Sequence, residues 1–246
     1  MALLSDREIR RLCVPPTFWK HLRADKELPA QPLSPPFSQY EYQLVEDFNN
    51  RSQTQPGTPQ RPHYLTKPQE AVSDFTPMLK PFHDRLVRKV NDQAAVSFGL
   101  SSYGYDVTAS REFEICTNIH SGILDPKAVD SRVFVKQEGD HVIVPPNSFI
   151  LARTNEYFNM PKDVTGLVLT KSTYGRLGLF CLTTVIEAGW HGELVLEYAN
   201  FTSLPVKFYA GEGAAQILFI RSTPCETPYD DSRKYQGQTG ITHHRI

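Results

Sequence analysis

Lys171, Ser172, Thr173 and Arg176 stand in one short block of the chain, with Glu187, Trp190 and Glu197 close behind. A lysine, two hydroxyls, a guanidinium and carboxylates form a set suited to moving protons and to holding anionic groups. Glu197 ends the apolar run Leu194, Val195, Leu196 and is followed by Tyr198. That setting puts its carboxylate against partly dry surface, which favours the neutral acid and raises proton affinity toward the range useful in catalysis. Alone, the pattern also describes a solvated strand glutamate paired with Arg176 or Lys171; in the company of its neighbours it reads as reactive.

These residues need a rigid framework, and the sequence points to β structure. From Ala94 onward, short runs rich in Val, Ile, Phe, Tyr and Thr are broken by Gly, Pro, Asn and Asp at intervals of roughly 8–12 residues, the texture of an all-β sandwich or barrel. Predicted strands cover Tyr105 to Ala109, Glu112 to Cys116, His141 to Val144, Ser148 to Thr154, Thr165 to Thr170, Glu193 to Asn200, Pro205 to Tyr209 and Ala214 to Ile220. Ser5 followed by Glu8 has the form of a capping box, with Ile9, Leu12 and Cys13 as an apolar side, which predicts a short helix over residues 5–13. Twelve of the nineteen prolines fall between Pro15 and Pro81, so that stretch cannot hold regular structure for long. It still carries Phe18, Trp19, Phe37, Tyr40 and Tyr42, more aromatic weight than a free linker.

Composition narrows the function. A chain of 246 residues, 40% hydrophobic and 22% charged, can bury one good core. A formal net charge of −1 leaves no broad basic face for a nucleic-acid polymer, so any phosphate must be held by a few placed donors. Cys13, Cys116, Cys181 and Cys225 are far apart and form no Cys-x-x-Cys pair, which suggests reduced thiols and a cytoplasmic protein. No run approaches the roughly 18 apolar residues that span a bilayer, so no membrane association is expected.

Five blocks in order give the chain a family resemblance from about Pro81 to Ile246: Val96 to Val107, Val144 to Thr154, Lys171 to Leu179, Glu187 to Asn200, and Lys234 to Gly240. Together they resemble the dCTP deaminases, within the wider superfamily of trimeric dUTPases. The resemblance implies a distorted jelly-roll β-barrel with a few short helices, and a homotrimer whose active sites lie where subunits meet. It also divides the chain into an N-terminal helix (1–13), an irregular Pro-rich insertion (14–77), the barrel (78–228) and a C-terminal lid or tail (229–246).

What the family does is hydrolytic deamination of dCTP to dUTP and ammonia, and the resemblance assigns roles residue by residue. Glu197, seven residues beyond Trp190, matches the general base. Ser172 matches the hydroxyl that holds the attacking water, together with a backbone carbonyl somewhere in Leu182 to Ile186, and Arg176 matches the guanidinium that stabilises charge on the ring. Trp190 matches the wall against the deoxyribose, and Glu187 a sugar contact. Lys171, Thr173, Tyr229, Lys234 and Gln238 match phosphate-binding positions, the last three on the mobile tail. Asp106 and Gln216 fit structural roles. Magnesium is expected to accompany the triphosphate, bound mainly by phosphate oxygens and water, and dTTP is implied as an inhibitor of the same pocket.

Two rival chemistries are written into the same stretch. His191-Gly-Glu193 followed by Pro224-Cys225 looks like the start of a zinc-deaminase signature, but Pro228 stands where the second cysteine should be, so no catalytic zinc is expected. Hydrolysis of dUTP, alone or after deamination, is the nearer enzymatic alternative; a nucleotide-binding protein that has lost turnover is the third, and a positioned Ser172, Arg176 and Glu197 speak against it.

Overall fold

The computed structural model describes residues 1–15, 75–119, 123–128, 130–230 and 232–245. The stretch read as a Pro-rich insertion therefore lies outside the described residues except at its two ends. A two-residue strand β1 (Ala2–Leu3) leads to helix α1 (Asp6–Cys13). The Glu8 carboxylate accepts from the Ser5 amide and hydroxyl, each at 3.1 Å, closing the helix start as its sequence suggests. Ile9 and Cys13 are buried, and the Leu12 carbonyl receives the Met78 amide at 2.8 Å, so α1 is tied directly to the barrel.

The remaining elements are β2 (Leu79–Lys80), β3 (Leu86–Val90), β4 (Gln93–Ser101), β5 (Gly104–Cys116), β6 (Phe134–Glu138), β7 (His141–Val144), β8 (Phe149–Asn159), β9 (Val164–Thr170), the short helix α2 (Ser172–Gly175), β10 (Leu179–Cys181), β11 (Thr184–Ile186), β12 (His191–Asn200), β13 (Val206–Tyr209) and β14 (Gly213–Arg221). Their main path runs β10-β12-β8-β5-β14-β9-β11, and β13 pairs with β7 in a separate ribbon. This is the all-β, curled antiparallel barrel that the sequence led us to expect. Each predicted strand falls on an observed one.

One expectation changes in form. Tyr105 to Ala109 and Glu112 to Cys116 belong to the single strand β5, whose first half pairs with β4 and β14 and whose second half pairs with β6 and β8. A register shift between Ala109 and Phe113 bends it from one sheet to the other. Strands β1, β2, β3, β4, β6, β10 and β11 were not predicted. All but β4 are short, and Arg88 and Lys89 in β3 or Lys136 and Glu138 in β6 dilute the apolar alternation that marks a strand.

Inside the curl, Tyr105, Phe113, Phe158, Tyr174, Tyr198, Phe208 and Phe219 are fully buried. The Phe208 ring lies 4.5 Å from that of Tyr198 and 4.9 Å from that of Tyr174. Residue 208 of the β13 ribbon thus packs on both α2 and β12, and the two elements that carry the sequence-predicted chemistry share one core.

Glu156 is buried among them without a cation. Its two oxygens accept the Thr108 amide at 3.1 and 3.0 Å, and the Thr108 hydroxyl lies 3.1 Å away. Desolvation outweighs these bonds and pushes the carboxyl up to about 8. The folded state therefore keeps a proton that the unfolded chain releases near pH 4 to 5, and the protein loses stability as pH rises toward about 8. In Glu156→Gln this loss should vanish: the Tm difference, variant minus parent, should grow between pH 5 and 8, corresponding to a few kcal/mol. Parallel Tm profiles would refute the assignment.

Candidate active site

The cleft that holds Glu197 has no residue of the Lys171 block in its lining. At the end of β9 the chain turns into α2, and the Lys171 carbonyl accepts the amides of Tyr174 and Gly175, both at 3.0 Å. Lys171 itself points inward: its Nζ lies 2.5 Å from Asp106 Oδ2 on β5, with both side chains buried. Burial raises the Asp106 carboxyl while the ammonium beside it pulls the other way, and Asp106 Oδ1 has no hydrogen-bond partner among the described residues. Tyr174 anchors the helix from below, its hydroxyl accepting the Tyr209 amide at 3.1 Å. Beyond α2, Gly178 adopts φ +76°, and a Cβ there would stand 2.2 Å from Thr202 Cγ2. Only glycine lets the chain turn back into β10 at that point.

What α2 presents outward is Ser172, Thr173 and Arg176, all exposed. Arg176 Nη1 donates to Ser172 Oγ at 3.1 Å, so the guanidinium and the hydroxyl form one unit. The apolar side chains of Leu177, Phe180, Leu182 and Phe201 are exposed around them, with the Phe180 and Phe201 rings edge to face at 5.7 Å. A charged and hydroxyl-bearing knob rimmed by bare apolar residues has the character of a contact surface.

Glu197 lies elsewhere, in a cleft of about 360 Å³ on the outward face of β12 and β8. Leu151, Thr184, Val185, Ile186, Leu194 and Val195 give it apolar walls, and Glu187 and Trp190 close one end. Thr184 to Ile186 fall in the stretch expected to supply a backbone carbonyl. Desolvation raises the Glu197 carboxyl above its usual range, as its apolar neighbours suggest in the sequence. Trp190 serves as wall and core at once: it is 5% exposed, its ring is 6.2 Å from that of Phe158, and its indole N–H donates to the Tyr235 carbonyl at 2.8 Å.

The C-terminal segment roofs this cleft. Gln238 pairs with Gly192 as a parallel bridge, the Glu193 amide donates to the Gln238 carbonyl at 2.9 Å, and the Gln238 side chain donates back to the Glu193 carbonyl at 2.8 Å. At Gly192 a Cβ would meet both Gln238 O and the Trp190 ring at 2.9 Å, so the close approach depends on glycine. Tyr229 and Gln238 line the cleft while Lys234 is exposed outside it. Tyr235, Thr242, His243 and His244 also line it and were missed by sequence reading. Only the polar, glycine-bearing character of the tail marked them, and that pattern ends at Gly240.

His191 and Glu193 of the zinc-like stretch have polar partners within the barrel and tail. The Tyr157 hydroxyl and His191 Nδ1 lie 2.7 Å apart, and the Glu193 carboxylate binds Arg153 at 3.0 Å and the Gly240 amide at 2.7 Å.

Comparison with known proteins agrees with the sequence blocks. A family model described as dCTP deaminase-like matches residues 80–222. Curated relatives called dCTP deaminase include one from Dechloromonas aromatica (strain RCB), 52% identical over 167 residues, covering 67% of this chain and 89% of that protein. Another, from Pseudomonas aeruginosa (strain UCBPP-PA14), is 50% identical over the same shares. Among solved structures, a 2′-deoxycytidine 5′-triphosphate deaminase from Agrobacterium tumefaciens aligns over 56% of this chain and 44% of its own, with 17% identity and a TM-score of 0.41. A dUTPase of EIAV aligns over 61% and 93%, with 16% identity and a TM-score of 0.35.

The contrast between two carboxylates is measurable without any ligand. Arg153 holds Glu112 below the usual range, whereas desolvation lifts Glu197. Carboxyl-carbon NMR or difference infrared spectra against Glu112→Gln and Glu197→Gln should show Glu197 taking up its proton at the higher pH. The reverse order would mean that the cleft is wet.

Proposed function

The chain belongs to the dCTP deaminase family, and from that premise we propose that it hydrolyses the amino group of dCTP with Glu197 as the proton carrier and without zinc. One water adds to C4 of the cytosine. Its first proton passes through Glu197 to N3, the proton of the new C4 hydroxyl passes to the amino nitrogen, the C4–N bond breaks as the C4 carbonyl forms, and dUTP and ammonia leave. A carboxyl whose proton affinity is raised by desolvation in the cleft suits both taking up and returning the proton in this relay.

The observation that carries the reading is the division of the reactive groups into two incomplete halves. The cleft has the base, the aromatic wall at Trp190 and a roof, but among the residues that line it only the imidazoles of His243 and His244 can carry positive charge. The α2 knob has the Ser172–Arg176 unit and Thr173 in solvent, with no carboxylate among the described residues bonded to the guanidinium. Seating the α2 knob of one subunit against the cleft of the next completes both halves and covers Leu177, Phe180, Leu182 and Phe201. Ser172 then holds the water, Arg176 stabilises charge developing on the ring, and Trp190 walls the deoxyribose. Lys171, committed to Asp106, sets the height of α2, while Thr173, Tyr229, Lys234 and Gln238 serve the triphosphate and Glu187 the sugar. A head-to-tail contact of this kind can close into a ring, and the homotrimer that the family resemblance implies would hold three such shared sites.

Magnesium in this scheme travels with the triphosphate. Among the described residues no three His, Cys, Asp or Glu side chains converge as a cage, and a hard ion coordinated by phosphate oxygens and water needs none. Bound there, it would neutralise phosphate charge.

Glu197→Gln should bind dCTP with little change yet lose at least about 1000-fold in turnover, followed by ammonia release and by equilibrium binding; near-normal turnover would remove Glu197 from the mechanism. Mixing Glu197→Gln with Arg176→Ala subunits tests the shared site. Each variant alone should be inactive, and reassembled mixed trimers should recover up to about a quarter of the parent sites, because each mixed trimer rebuilds one. No recovery, with mixed trimers demonstrated, would place both groups on one subunit.

A further inference from the structure

The C-terminal segment continues past Gly240 and makes a second attachment on the far side of the cleft. Register places Lys136, Glu114, Leu151 and Glu197 in one row across β6, β5, β8 and β12. Directly opposed residues of antiparallel strands point to the same face, so Glu114 stands on the same face of the sheet as Glu197, two strands away. Its side chain is only 5% exposed, unusual for a carboxylate on the outward face of a sheet.

What covers it is the tail. The His243 ring rests on Phe134 with centroids 4.8 Å apart, and its Nε2 meets Glu114 Oε2. The Lys136 ammonium is 3.9 Å from the other carboxylate oxygen, but that side chain is 86% exposed and its contact is weakened by water. A carboxylate removed from water needs a close partner, and His243 is the close one.

We propose that Glu114 and His243 are positioning residues that clasp the C-terminal segment across the cleft, so that Tyr229, Tyr235 and Gln238 roof Glu197 before nucleotide arrives. The proposal rests on the deaminase reading for its kinetic consequences, though not for the clasp itself. Glu193 holds the near end of the roof through Gly240 and Gln238. The Glu114–His243 pair holds the far end, and the cleft stays open between the two. A segment fixed at both ends has little freedom left to lose when a ligand enters, so the clasp lowers the cost of binding and leaves the chemical step alone.

The test uses the full chain. Glu114→Gln should speed amide hydrogen exchange across residues 241–245 by about tenfold. It should also raise KM for dCTP by about tenfold while lowering kcat by much less. Reversing the pair, Glu114→Lys with His243→Glu, should restore both exchange and KM toward the parent values. Unchanged exchange in Glu114→Gln overturns the proposal. A fall in KM also overturns it, because the tail would then be a plug. Exchange needs no turnover, so a parent protein unable to deaminate dCTP would sink the proposed function while the exchange data still judged the clasp.

Discussion

One strand, hydrogen-bonded first in one sheet and then in another, is the constraint on which the reactive region hangs. The bend in β5 between Ala109 and Phe113 carries the strand from its pairing with β4 and β14, where Asp106 sits, to its pairing with β6 and β8, where Glu114 sits. From the first half, Asp106 grips Lys171 and sets α2; from the second, Glu114 meets His243 of the tail. A change at the bend would move both ends together. The buried Glu156–Thr108 contact lies beside that bend and braces it, with a protonated carboxyl standing in where a ladder partner is missing.

Much of this was legible in the sequence, for reasons that differ by residue. Leu194 to Leu196 before Glu197 announced a dry neighbourhood, and the cleft has that character. Ser5 and Glu8 marked the first helix through local hydrogen bonding, which depends on nothing distant. The Lys171 block was visible as a set of functional groups, but its inward and outward division was not. Whether a lysine faces Asp106 or solvent is decided by a residue 65 positions away, and no local pattern carries that. The same limit hid Glu114 and His243, which are 129 positions apart. The short strands β10 and β11 escaped because three residues cannot display a period.

The two halves of the site also explain why the chain reads as an enzyme more than as a passive binder. A binding surface gains nothing from drying out a carboxylate, since desolvation weakens an anion's hold on water without adding an attraction of its own. A proton carrier does gain, because its affinity for hydrogen approaches that of the group it serves. On the proposed reading, the apolar walls around Glu197 and the exposed Ser172–Arg176 unit complement each other across a subunit contact.

Trp190 gives the tail a built-in optical reporter. Its indole is sandwiched between the Phe158 side of the core and the backbone at Tyr235, and the chain has only one other tryptophan, Trp19, outside the described residues. Departure of the tail would hydrate the ring and free its N–H, shifting emission to longer wavelength. The polypeptide therefore signals the state of its own roof in ultraviolet light, with no label attached.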